Sequence, residues 1–121
     1  MINDNILNGV AQLLSGGSYT IPSYLAFGST TGTLTAQDIV TSGEFDRNAL
    51  DSDSASANVV KYIGKRLSTE ANNEYVNVIG LHNASTLASS GNLQANFLVP
   101  SLLHTTSFDI NVEFWFSIER G

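Results

Sequence analysis

The chain has no cysteine. That excludes a disulfide framework, a thiolate metal site and a cysteine nucleophile, and it is compatible with any redox compartment. Proline occurs twice in 121 residues, and five lysines and arginines stand against eleven acids, for a net charge of −6. A nucleic-acid binder needs lysine and arginine to meet phosphates, so no nucleic-acid partner is expected. No apolar stretch approaches the ~20 residues of a membrane span. The N-terminus has no basic region followed by a long apolar run, so neither a signal peptide nor a membrane partner is expected. With charge this sparse, the polar surface must be serine, threonine and asparagine, which suits a protein packed against neighbours. A chain of this length can bury roughly two-thirds of its unfolded surface and needs no staple, so a single domain over 1–121 is expected.

The strongest pattern present is the stretch 108–119. Its even positions are Phe108, Ile110, Val112, Phe114, Phe116 and Ile118, and its odd positions are Asp109, Asn111, Glu113, Trp115, Ser117 and Glu119. Strict alternation gives a strand with one buried face, because successive side chains point to opposite sides. Trp115 breaks the polar face. Either a neighbouring segment covers it or it is offered to another subunit.

Residues 2–15 read as the one helix. Ile2, Ile6, Leu7, Val10, Leu13 and Leu14 recur at helical spacing, Asn3 or Asp4 caps the start, and Gly16-Gly17 ends it. Two destinations fit its apolar face: its own sheet or an adjacent subunit. From Pro22 the pattern turns extended. Strands are expected over 23–27, 58–67, 75–81, 93–99 and the final stretch, with loops at 29–33, 51–56 and 89–92 and a connection over 101–107. Thr35 to Asp38 opens a short turn, and Glu44 and Arg47 pair across another or Arg47 reaches a neighbouring chain. Asn72-Asn73 suits a turn with positive φ. One helix followed by strands without intervening helices argues for an antiparallel fold. The fold class expected is mainly β: a small antiparallel β-sandwich or partly open barrel over 23–119, with one N-terminal α-helix.

Chemistry is scarce. The Gly28–Gly32 loop has neither P-loop nor dinucleotide spacing. Asp51-Ser52-Asp53 begins like a calcium loop, but no glycine stands sixth and Tyr62 occupies the place of the bidentate glutamate. His82 and His104 lack an acidic or histidine neighbour at metal-ligand spacing and read as surface or turn residues. Lys61, Lys65 and Arg66 read as a solvated face. No nucleophile elbow or spaced carboxylate pair is present. The expectation is a non-enzyme without cofactor or metal. Its subunit contacts are expected at Ile6, Val10, Leu13, Arg47 and Trp115. Tyr19, Tyr24, Tyr62, Tyr75 and Trp115 also allow sugar-ring stacking, so a host glycan is an alternative partner.

Four pieces in order carry a resemblance. Tyr24-Leu25-Ala26-Phe27-Gly28 leads into a Thr/Gly-rich loop; Glu44-Phe45-Asp46-Arg47 gives a Glu-x-x-Arg. Ile79-Gly80-Leu81 precedes a small polar turn, and Gly91-Asn92-Leu93 leads to the long final strand. Together they resemble the small β-rich structural proteins of tailed-bacteriophage virions. Val78, Gln94 and Asn96 depart from that pattern, where an acid or an arginine is usual. The resemblance implies a non-enzymatic virion protein that forms homo-oligomers and contacts other virion proteins. Tail-side placement (baseplate, collar or fibre attachment) is favoured over capsid decoration.

Overall fold

The computed structural model describes residues 1–38, 40–85 and 93–119. The expected turn at Ser89–Asn92, and with it Gly91-Asn92, lies outside the described residues. Helix α1 runs Asp4–Leu14. Asn3 caps it in extended backbone conformation, its side chain accepting from the Asn5 amide, and Gly16 turns the chain away at φ +83°. The strands follow as β1 (Tyr24–Gly28), β2 (Glu44–Ala49), β3 (Ser52–Ser56), β4 (Val59–Arg66), β5 (Glu74–His82), β6 (Leu93–His104) and β7 (Ile110–Ser117).

All pairings are antiparallel. One sheet has the order β2-β1-β5-β6 and the other β3-β4-β7. The expected mainly β, sandwich-like fold is therefore present, and the sheets do not close into a barrel. Alternation on each inner face builds the core: Leu25 and Phe27 of β1, Tyr62 of β4, Val76, Ile79 and Leu81 of β5, Ala95 of β6 and Phe114 of β7. β7 follows the expected alternation, with Phe114 buried and Asn111, Glu113, Trp115 and Ser117 exposed.

Three stretches differ from the sequence reading. The polar run Ser52–Ser56 is strand β3, exposed at all five positions, and not a loop. It is held by β4 through the tight turn at Ala57-Asn58, where Ala57 takes φ +53°. Composition hid it, because serine and aspartate are poor strand formers and the pairing partner supplies the order. Residues 44–49 form strand β2 and not a turn. Residues 101–104 continue β6 beyond Pro100. Pro100 is tolerated because β6 is an edge strand and bulges there: Val76 pairs with Leu102 and Val78 with Leu98, so Val99 to Ser101 stand opposite Asn77 alone. Asn73 takes φ +58° ahead of β5, as an asparagine turn allows.

Candidate functional site

Two polar clusters and one apolar surface stand out. The first cluster lies on the outer face of the four-stranded sheet. Glu44 and Arg47 are three apart in β2, which in a regular strand would put them on opposite faces. A bulge corrects this: Gly28 pairs with Glu44 but Phe27 with Asp46, so Phe45 is the extra residue and Glu44 and Arg47 share a face. The Arg47 guanidinium grips Glu44 with two bonds of 2.6 Å, and its third arm donates to the Ala84 carbonyl at 2.8 Å. Both side chains are buried, at 1% and 3% exposure.

His82 sits on the same face. Its Nε2 is 2.7 Å from the Thr41 hydroxyl and 3.4 Å from an Arg47 nitrogen. A guanidinium only donates, so Nε2 is the accepting nitrogen and the proton resides on Nδ1. That Nδ1 meets no hydrogen-bond partner among the described residues. Burial, and then the positive charge of Arg47, push the His82 pKa down to about 3. Gly80 makes the approach possible, since a Cβ there would run into the Thr41 side chain. The cluster thus clamps Thr41, just ahead of β2, onto the sheet. A general base needs a pKa near the working pH and reach to substrate; His82 is fully buried and holds neither.

Asp38 precedes Thr41 in the chain. Burial works to raise its pKa, but hydrogen bonds from the Thr35 amide and hydroxyl at 2.9 and 2.7 Å help hold the carboxyl below its ordinary value. The N-terminus crosses nearby. The Asn3 amide group donates to the Asp38 carbonyl, and the Asn3 and Asn96 backbone amides donate to Gln94 and Met1 at 3.0 and 2.9 Å.

The second cluster centres on Arg66, which is buried and not part of a solvated face. It donates to Asp46 at 2.8 Å, to His104 Nδ1 at 2.6 Å and to the Glu70 carbonyl at 2.7 Å. His104 passes the connection on, its Nε2 donating to the Phe108 carbonyl at 2.8 Å. The node ties β2, β4, β6 and the loop into β7 together. Both histidines, read from sequence as surface or turn residues, are fully buried. No local spacing could have shown this, because every partner is 35 or more residues away except Phe108.

The apolar surface belongs to α1. Only Ile6 and Gly9 are buried; Tyr19 lies against Gly9, where a Cβ would meet its ring. Leu7, Val10, Leu13 and Leu14 remain exposed, Leu14 at 84%. With Ile21, Val60, Phe116 and Ile118 they line a groove of about 360 Å³ between the helix and the end of the three-stranded sheet.

Of the five expected contact residues, Val10, Leu13 and Trp115 are open to solvent, and Ile6 faces inward at the floor of the groove. Arg47 is withdrawn: its guanidinium is spent on Glu44 and Ala84 inside the chain, so it offers no surface contact. Trp115 is 62% exposed, with its indole N–H donating to Glu113 at 2.9 Å and the Lys61 ammonium 4.5 Å from its ring centre.

Among the described residues no three histidine, aspartate or glutamate side chains cluster as a metal site, and no helix is long and apolar enough to cross a membrane. Comparison with protein-family models, with curated proteins and with solved structures finds no match.

Proposed function

We propose that this chain is a non-enzymatic structural subunit of a tailed-bacteriophage virion, oligomeric and attached to a larger lattice. The tail side (baseplate, collar or fibre attachment) is favoured over capsid decoration. The observation that carries the assembly reading is the α1 groove. Leu7, Val10, Leu13, Leu14, Ile21 and Ile118 leave roughly 600 Å² of apolar surface in one patch, the upper end of what a soluble monomer shows. A patch at that limit is often functional, and docking on a partner would remove it from water. The virion placement is supported by the order of motifs in the sequence.

The test uses Leu7→Lys with Leu14→Lys, two exposed positions whose change leaves the core untouched. The double variant is expected to fold normally and to be lost from purified particles. Incorporation equal to that of the unaltered protein would refute the groove as the attachment surface. Trp115 favours a second reading, a glycan-binding module, because its outward ring and Glu113 offer stacking beside a hydrogen-bond acceptor. A glycan-array signal abolished by Trp115→Ala would support it, and a blank array would remove it.

A further inference from the structure

An exposed strand edge is a template for pairing, and proteins ordinarily guard it with proline, charge, a bulge or shortness. The two sheets have four outer edges. β2 is guarded by its bulge. β3 is only five residues long. β6 bulges around Pro100. β7 is unguarded. It runs eight residues in unbroken register with β4, has no proline, glycine, lysine or arginine, and carries one charge, Glu113. Among the described residues nothing pairs with its outer edge.

The geometry points to β7 as the interface with a second copy of this chain, paired antiparallel with its own twin across a two-fold axis. The inference rests on the assembly reading above and names one of its contacts. It joins the two three-stranded sheets into one of six strands.

The sequence of β7 selects the register. Inner and outer faces must match across the pair, so only registers that keep alternation in phase qualify. Placing Glu113 opposite its own copy sets two carboxylates side by side and is disfavoured. Placing Trp115 opposite its own copy uses only residues 113–117. Placing Phe114 opposite its own copy uses residues 111–117. It sets Glu113 against the partner's Trp115, Asn111 against the partner's Ser117 and Val112 against the partner's Phe116, with no like-charge contact. An isologous contact of this kind closes as a dimer and does not propagate.

A second observation converges on the same side of the sandwich. Phe97 of β6 and Phe114 of β7 are 5.2 Å apart at their ring centres, so the free edges of β6 and β7 lie together. A groove between them opens onto Val76, Ile79, Val99 and Val112. Phe97 and Leu102 of β6, paired with the core residues Ile79 and Val76, stand partly exposed beside that groove. A two-fold contact at β7 brings these side chains toward the second copy, so pairing covers apolar surface as well as the open edge of the backbone.

The test is sedimentation equilibrium over a range of concentration, on the whole chain and two double variants at exposed positions of β7. The unaltered protein is expected to dimerise. Asn111→Lys with Ser117→Lys places lysine against lysine twice in the Phe114-centred register and should weaken the dimer at least tenfold. Asn111→Glu with Ser117→Lys places opposite charges in the same two positions and should restore it. Circular dichroism confirms that each variant is folded. A monomer at every concentration, or equal dimerisation by the two variants, would overturn the proposal. Failure here is separable from failure of the assembly reading: a monomer that still enters particles sinks only the β7 pairing. A β7 dimer absent from particles sinks only the virion role.

Discussion

His82 should make the fold acid-sensitive well above the range where ordinary carboxylates titrate. Its ring is fully buried, beside the Arg47 guanidinium, and burial with that charge holds its pKa at about 3 against 6.5 when unfolded. Between those values the unfolded chain binds a proton that the native state refuses, so stability falls as pH falls from about 6.5 toward 3. Each unit of that window is worth about 1.4 kcal/mol. The expected loss is therefore about 2 kcal/mol between pH 6.5 and pH 5, rising toward about 5 kcal/mol by pH 3. At an m-value of about 2 kcal/mol/M, the first step moves the urea midpoint down by about 1 M. The assay is urea unfolding at pH 7.5, 6.5, 5.5 and 5.0, run on the natural sequence and on His82→Gln. Glutamine keeps an acceptor for the Thr41 hydroxyl and does not titrate. Its midpoint should therefore change far less across the same range. Parallel pH dependence in the two proteins would refute the reasoning, as would a His82 ring resonance that shifts between pH 7.5 and 5.0 in the folded state.

Arg47→Ala should behave as a core lesion and not as a surface change. It removes the guanidinium from a carboxylate only 3% exposed, a loss of about 3–5 kcal/mol by the usual cost of breaking a buried pair. A thermal melt should show it as a fall of about 12–20 °C for a chain of this size, and an unchanged melting temperature would show that Arg47 is free to act at the surface. Ala57→Gly should stabilise by about 0.5–1 kcal/mol, because Ala57 sits at φ +53° in the β3–β4 turn where glycine carries no Cβ penalty. Denaturant midpoints measure it, and destabilisation would mean that the turn is not in this conformation.

What the sequence discloses, it discloses through short-range periodicity. The 3.6-residue recurrence from Ile2 to Leu14 marked α1, and the two-residue alternation from Phe108 marked β7, because each pattern is written in consecutive residues. Strands β2 and β3 escaped for the opposite reason. Glu44-Phe45-Asp46-Arg47 carries a bulge that breaks the alternation, and Ser52–Ser56 is polar on both faces because nothing covers it. The buried polar residues escaped too. Arg66, His82 and His104 look like surface chemistry in a list of residues, and only partners brought from distant strands pay for their desolvation. The apolar helix face was legible, but how much of it the sheet would leave uncovered was not. That depends on Tyr19 docking against Gly9 and on where the three-stranded sheet ends.

The most direct test of the assembly role is to quantify this chain by mass spectrometry in particles purified from cells that produce it. A fixed copy number per particle, at a multiple set by tail or capsid symmetry and resistant to washing in high salt, is the expected result. A chain found only in the cell lysate, with purified particles complete and infectious without it, would contradict a structural role in the virion.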